Sequence, residues 1–449
     1  MRKLFLIFFL FCFAGCASDR AMYYYSAPTN LPNVRTEMKT PGFWIGRLTA
    51  PDQVIMTADE INRFNREIIR KKYRGDISVF PATYTGREMS DSLRQRFYGM
   101  VSAGYFTQYG RKADQKFFIR IKGNMEINNL PDSLNVRYAI VARNSDQRFL
   151  PTQDKLTAKP LDIDFDELQE NSLDINTPVA VLWQSVDRIW SYVIGPSSPG
   201  WVLTENLAFC GQEEMKRMRT PDFVVITSAK ADIYLDQQRT RFYSFVRMGT
   251  RFELKNISQE VVEISLPIRD ETGHIKIVSG YIRAKDLHRG YRPYTPRVII
   301  EQAFEMLNTP YGWGGANGEQ DCSQFLQEVF ATAGIEIPRD SSVQANIGIS
   351  LYEFKENEIE AARRDQVRAN ARAGLSILYM NGHIMLYLGE SEGSPYAIHD
   401  TWAYREKIAS KDTPRRINKV TVSDLSLGQG SGKGSLLLRL KQIRIYNVR

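Results

Sequence analysis

Residues able to hold a transition metal or to move protons near neutral pH are scarce in this 449-residue chain. Histidine occurs four times, at 274, 288, 383 and 399, and cysteine four times, at 12, 16, 210 and 322. No group of them has the spacing of a zinc site, so neither a metal nor another cofactor is called for. No apolar run reaches the roughly 20 residues that a membrane-crossing helix needs. Lys and Arg, 59 against 51 Asp and Glu, form no concentrated block, so nucleic acid is not an expected partner. The formal charge of +8 fits loose attraction to an anionic surface instead. With 43% hydrophobic residues, the chain is long enough for three or four domains.

What is present begins with a short export-like leader. Arg2 and Lys3 precede the apolar stretch from Leu4 to Phe13, which ends in Phe13-Ala14-Gly15-Cys16. This reads as a lipoprotein signal over residues 1–15, with Phe13 where such boxes usually carry Leu. Cys16 is then the lipidated N-terminus, an anchor of acyl chains rather than a spanning helix. Ala17, not Asp, follows it. In a bacterium with two membranes that choice points to the outer one, with the protein on the periplasmic face of the cell envelope. Cys12 leaves with the signal and Cys16 is consumed by lipid, so Cys210 and Cys322 remain in an oxidising compartment. Cys210, after an apolar strand, is expected to pack as a small hydrophobe.

The rest divides by pattern. Residues 16–40, with Tyr23, Tyr24 and Tyr25 in a row and several prolines, read as a tether. Residues 41–135 read as an N-terminal helical domain. Thr57-Ala58-Asp59-Glu60 is a capping box opening a helix with Ile61, Phe64 and Ile68 on one face, and a second helix is expected from Ser90 towards Tyr109. From about Val136 short alternating strands take over, giving one small all-β barrel over 136–210 and another over 211–288. They end alike, in Gly200-Trp201-Val202 and Gly280-Tyr281-Ile282. Residues 289–449 form a last domain of mixed helix and strand.

Within that domain, YGWGGANGEQDCSQFLQEVF (311–330) delivers one cysteine to the start of an amphipathic helix. Phe325, Leu326, Val329, Phe330 and Ala333 mark its buried face, and Gly334 ends it. Asp321 stands at the N-cap, with Gln324 completing a variant of the capping box. Cys322 occupies the first helical position, where free N–H groups and the helix dipole favour thiolate over thiol. The glycines at 312, 314, 315 and 318 let backbone approach a substrate closely, and Tyr311 and Trp313 form walls. Alone, the segment fits a structural cysteine in a tight turn as well as it fits a nucleophile.

A nucleophile needs a base. Asn381-Gly382 is a hairpin signal, so His383 begins a strand, and after a turn near residues 390–395 a further strand carries His399. If paired residue numbers sum to an even value, the two imidazoles share a face; an odd sum separates them. The even register yields a relay in which Cys322 attacks, His383 takes and returns the proton, and His399 orients His383. Asp400 points the other way. His274 lies in a turn and His288 in a charged linker.

Tyr311, Gly314-Gly315, Asp321-Cys322-Ser323, Ile337-Pro338-Arg339-Asp340-Ser341, and His383 before Leu386, Tyr387 and Gly389 together resemble the NlpC-type cell-wall cysteine peptidases. The resemblance implies a papain-like α+β fold in which the helix-start cysteine packs on an antiparallel sheet. It implies the triad Cys322, His383 and His399, and hydrolysis of peptidoglycan stem peptides between γ-D-Glu and the following diamino acid. The barrels are similar to bacterial SH3-like domains, two of which precede an NlpC-type domain in some family members. In those relatives the first barrel helps wall off the cleft, so Asp164, Asp166, Glu167, Glu170 or Tyr192 could reach a substrate amine. Departures are Gln324 where the family commonly has Gly, Ala373-Gly374-Leu375 in place of Pro-Gly-Asp, and an insertion over residues 352–372 expected as an exposed helix.

Asp321 raises a physical question, since a carboxylate beside a thiolate opposes its formation. A substrate ammonium bound at Asp321, with hydroxyls from Tyr311, Ser323 and Ser341, would answer it and select peptides with a free N-terminal L-Ala. The leading expectation is thus a monomeric, lipid-anchored cysteine endopeptidase. The alternatives are a papain-like amidase or transpeptidase with the same triad, and a noncatalytic wall-binding lipoprotein. The anchor is checked by Cys16→Ser: fractionation should find the variant in the soluble phase, and retention in the membrane would refute lipidation there.

Overall fold

The computed structural model describes residues 24–218 and 220–448. The expected signal, the lipid-bearing Cys16 and the first part of the tether lie outside the described residues. Among the described residues no helix is long and apolar enough to cross a membrane.

The rest of the expected tether is not a tether. Tyr25–Ser26 adds a parallel strand beside Arg415 and Arg416, and Leu31, Val34 and Met38 are buried in the core of the C-terminal domain. Asn33 ties the segment down, donating to Asp424 at 2.9 Å and accepting from the Tyr396 hydroxyl at 2.7 Å. The apolar residues are too sparse to read as a strand or helix, yet each fills a gap in a neighbouring element.

Nor do residues 41–135 form a domain of their own. The Thr57 capping box is made as expected and opens the helix Ala58–Arg70. The next helix runs Gly86–Ser102, and a third, Gln115–Met125 behind an Asp114 cap, was not expected. Each helix buries a single stripe, which needs a partner. Trp44, Ile61, Phe64 and Ile68 find theirs in the C-terminal domain. Met89, Leu93, Phe97, Phe118, Ile121 and Met125 find theirs in the first barrel. The helical region is therefore shared between two cores.

Two seven-stranded antiparallel sheets follow, from Arg137 to Cys210 and from Phe223 to Arg289. The first agrees with the expected 136–210. The second starts later than 211, because Gln212–Arg217 is a helix that lends Met215 to the first barrel's core. Two first-barrel strands, Ser145–Arg148 and Gln169–Leu173, lie where the sequence reads as loop. Their residues are mostly polar; the first strand is satisfied within the barrel, by Ser198, Asp166 and Asn206, and the second also meets Gly314 and Arg339 of the C-terminal domain.

The C-terminal domain is a seven-stranded sheet whose centre comprises Ser376–Met380, His383–Ser391, Ser394–Ile408 and Lys411–Asp424. Against it packs the helix Cys322–Ala331, with Phe325, Leu326, Val329 and Phe330 wholly buried. Asn381-Gly382 makes the expected hairpin, Met380 facing His383. In the next pair Leu386 faces Ile398 and Tyr387 faces Ala397, an even register, before a bulge at Gly389. Both histidines are thereby on one face. The insertion contributes a helix, Glu360–Asn370, that is not merely solvated. Its Val367 is fully buried, and Arg363 donates to the carbonyls of Lys355, Glu358 and Leu440.

Trp44, fully buried, donates to the Met38 carbonyl at 2.8 Å and packs on Tyr396 of the sheet. Trp44→Ala should lower the stability of the C-terminal domain by about 3–5 kcal/mol, read as a fall in the urea midpoint for loss of its sheet. An unchanged midpoint would mean the N-terminal segment only rests on that surface.

Candidate active site

Cys322 opens its helix as the sequence indicates. The Asp321 carboxylate caps it by accepting from the Ser323 and Gln324 N–H groups at 3.2 and 3.1 Å. The reciprocal half of the capping box is absent. The Gln324 side chain leaves the helix and reaches the Ser172 hydroxyl of the first barrel at 3.4 Å.

The question posed by Asp321 has an internal answer. Arg339 grips it with two parallel bonds, 2.9 Å to Oδ1 and 2.6 Å to Oδ2. The Gly314 N–H and the Ser323 hydroxyl donate to the same carboxylate at 3.1 and 3.0 Å. Burial alone would raise its pKa, but the guanidinium and these donors hold it below the ordinary carboxylate value. No substrate ammonium is needed there. Ser323 is equally committed, accepting from Arg339 at 2.7 Å. Both residues, expected to touch substrate, instead brace the nucleophile.

The relay assembles on the two strands. His383 Nε2 lies 2.6 Å from His399 Nδ1, and both rings are buried. Since Nε2 is engaged, Nδ1 is the nitrogen of His383 left for the thiol. The backbone N–H of the next residue, Ile384, lies close enough to the Cys322 sulfur to favour its thiolate form. Electrostatics depart from the thiolate expectation. Burial and the Asp321 charge push the Cys322 thiol well above its ordinary value, outweighing the Ile384 N–H. Burial, assisted by Arg439, lowers His383 to about 3, against a smaller opposing pull from Asp321. His399 is lowered too, by burial and by His383. Both shifts favour the neutral thiol and the neutral imidazole, because desolvation by burial outweighs the helix terminus. Asp400 is turned to Gln320, which donates to it at 3.0 Å, and takes no part in the relay.

The glycines serve a different contact from the one expected. A Cβ on Gly314 would lie 2.8 Å from the Gln169 carbonyl oxygen, one on Gly315 2.1 Å from the Ser172 hydroxyl, and one on Gly318 2.4 Å from the Phe245 ring. The first two neighbours belong to the first barrel and the third to the second. The glycine-rich loop is therefore a seat for both barrels. Trp313 likewise does not stand free, since Phe165 of the first barrel packs edge-on against it at 5.3 Å and against Trp402 at 5.2 Å. Tyr311 meets the same Trp402 at 6.1 Å.

Of the acidic residues 164–170, Asp164 is exposed and Asp166 is paired with Arg148 at 3.0 Å. Glu167 is half-buried near Tyr105. Glu170 faces inward: it pairs with Arg96 at 3.6 Å and has Arg339 and Asp340 as electrostatic neighbours, with burial raising its pKa. Tyr192 is buried against Trp201, beside Arg96 and Glu170. Ser341 begins a one-turn helix capped by Asp340. Arg339 also donates to Asn171 of the first barrel at 2.9 Å, which joins that barrel to the cysteine helix. The sequence pointed to a missing cation beside Asp321, and Arg339 lay in plain view; Asn171 and Ser423, the latter 2.8 Å from His399 Nε2, gave no signal. Cys210 and Cys322 are both free.

This architecture recurs in known proteins. Residues 308–413 match the NlpC/P60 family and residues 156–203 an SH3 domain of the SH3b1 type. The chain is 25% identical over 228 residues to a gamma-D-glutamyl-L-lysine dipeptidyl-peptidase of Bacillus cereus, covering 49% of this chain and 62% of that protein. To the protein of that name from Bacillus subtilis it is 28% identical over 187 residues, 38% of this chain and 56% of the other. The chain thus spans less than two thirds of the length of these curated relatives. An NlpC/P60 endopeptidase from Photobacterium damselae subsp. piscicida shares the fold, with a TM-score of 0.75 at 17% identity over 95% of this chain and 97% of the other. The chain is a multidomain protein with an SH3b-type barrel and a C-terminal NlpC/P60 domain.

A thiol whose pKa lies above its ordinary value gains thiolate only as the pH climbs. Alkylation of Cys322 by iodoacetamide, followed by mass spectrometry, should therefore accelerate continuously from neutral pH to about 10. A plateau reached below neutral pH would mean a preformed thiolate–imidazolium pair.

Proposed function

We propose that this chain, through its NlpC/P60 domain, is a lipid-anchored cysteine endopeptidase of peptidoglycan stem peptides. It cuts the γ-D-Glu–diamino acid bond in peptides with a free N-terminal L-Ala. The observation that carries the reading is the Cys322 thiol at a helix start, beside the strand whose His383 is bonded to His399 at 2.6 Å. The names of the two Bacillus relatives support the bond.

Since burial favours the neutral forms of Cys322 and His383, attack and proton transfer are coupled. As the sulfur adds to the carbonyl carbon, its proton passes to His383 Nδ1, and the imidazolium is steadied by His399. The developing oxyanion is met by the Cys322 backbone N–H, free at the first turn of the helix. His383 then protonates the departing amine, leaving an acyl-thioenzyme. Water completes the cycle: it gives a proton to His383 as its oxygen adds to the acyl carbon, the C–S bond breaks to release the γ-carboxyl group, and His383 returns the proton to the Cys322 sulfur. With Asp321 tied to Arg339, the substrate ammonium is read instead by Glu170 and Asp340. These carboxylates come from different domains; burial and, to a smaller degree, the Asp340 charge raise the Glu170 pKa, and an ammonium bound beside Glu170 would offset both. Tyr311, beside Cys322, and Ser341, next to Asp340, would supply hydroxyls to the substrate.

The test is mass spectrometry of products from L-Ala-γ-D-Glu-meso-diaminopimelate and its N-acetylated form, with wild type and Cys322→Ala. Wild type should release L-Ala-D-Glu from the free peptide, acetylation should suppress cleavage severely, and Cys322→Ala should be inactive. Equal cleavage of both peptides would overturn the amine requirement, and residual activity in Cys322→Ala the covalent mechanism.

A further inference from the structure

The chain of proton-bearing side chains does not stop at His399. Its Nδ1 is taken by His383, and its Nε2 lies 2.8 Å from the hydroxyl of Ser423. Ser423 is fully buried on the strand Lys411–Asp424, directly across from Ala397 and diagonal to His399 on the same face. The backbone ladder fixes its position.

We infer that Ser423 is a positioning residue of the relay, supporting the His399 tautomer that leaves His383 able to accept the thiol proton. The inference rests on the cysteine-peptidase reading above, and the argument is a count of protons. A neutral imidazole has one N–H and one lone pair. For His383 to take the Cys322 proton on Nδ1, its own proton must sit on Nε2 and be donated to His399 Nδ1. That nitrogen must then offer a lone pair, so the His399 proton sits on Nε2 and needs an acceptor. Ser423 Oγ is within reach to accept it. In the reverse polarity Ser423 donates to Nε2, His399 donates from Nδ1 to His383 Nε2, and His383 points a proton at the thiol and cannot act as a base. Within the productive arrangement one proton moves, from the Cys322 sulfur to His383 Nδ1, and His399 and Ser423 keep theirs.

The surroundings make this third and fourth member matter. The charged groups bearing on His383 are Arg439, which disfavours its imidazolium, and Asp321, which favours it but is neutralised by Arg339. Among the described residues no carboxylate is bonded to either imidazole of the relay, whose partners are each other and Ser423. In a site closed to water, alanine at 423 leaves the productive tautomer with an orphaned N–H, and buried donors without partners are rarer and costlier than under-used acceptors. The population therefore shifts to the tautomer that cannot accept the thiol proton.

The test combines kinetics with a direct view of the protons. In Ser423→Ala, kcat should fall roughly ten- to a hundredfold with KM nearly unchanged, and Ser423→Thr, which keeps the hydroxyl, should recover most of it. Nitrogen-15 NMR of the histidine side chains in the wild-type protein should show His399 protonated on Nε2 and His383 on Nε2. Undiminished kcat in Ser423→Ala, or His399 protonated on Nδ1 in the wild type, would overturn the inference. The spectrum requires no turnover and no mutant, so it decides the matter even if the alanine variant fails to fold. Failure of the peptidase reading is distinguishable, because it shows as wild-type inactivity whatever tautomers are found.

Discussion

The ion pair between Asp321 and Arg339 is the point through which the domains of this protein act on one thiol. Asp321 caps the cysteine helix and receives the N–H of the glycine loop, and Arg339 carries the connection on to Asn171 of the first barrel. Buried charges are tolerated only when they are paired and their remaining hydrogen-bonding capacity is met. Here the helix cap, the loop, the Ser323 hydroxyl and the barrel supply what is needed. Removing either partner would leave a bare buried charge beside the nucleophile, at a cost on the order of 3–5 kcal/mol. A second buried arginine repeats the device from the other barrel. Arg247 holds Asp174 of the first barrel at 2.9 and 2.7 Å and approaches Glu328, on the cysteine helix, at 3.5 Å. Two guanidiniums thus fix one helix to two barrels.

The site was legible where local chemistry dictates local structure. The helix start at Cys322 and the Asn381-Gly382 hairpin follow from capping and turn type, whereas strand period says only that an even register would align the two histidines, and the pairing of Leu386 with Ile398 supplies that register. What could not be read was the set of surfaces that meet across domains. The glycines at 314, 315 and 318 announce a close approach, but sequence cannot say whether the approaching atoms belong to a substrate or to Gln169, Ser172 and Phe245. For the same reason Asp321 was given a substrate cation when a protein cation 18 residues on already held it. The helix-terminus argument for a thiolate counts a favourable dipole and omits the desolvation by burial that pushes the Cys322 thiol pKa up. Polar strands such as Gln169–Leu173 were missed because their burial comes from other domains, which leaves no alternation to detect.

The barrels consequently belong to the active site. The first supplies Phe165 to the aromatic wall, Glu170 to the polar end of the cleft and Asn171 to the arginine, and its Ser172 lies against Gly315. A site composed in this way is walled by both barrels as well as by its own domain, and its two imidazoles are buried. It also limits what can enter.

The contact between Asn33 and Asp424 spans 391 residues of chain, and the same pairing of ends buries Leu31, Val34, Met38 and Trp44 under the last strands. Contacts so distant in sequence form late, since the loop between them must be closed before they contribute. During synthesis the first forty or so residues must wait without their partners until the final sheet has left the ribosome. Cys322 lies in that same core, so its surroundings are complete only when the beginning and the end of the described chain have met.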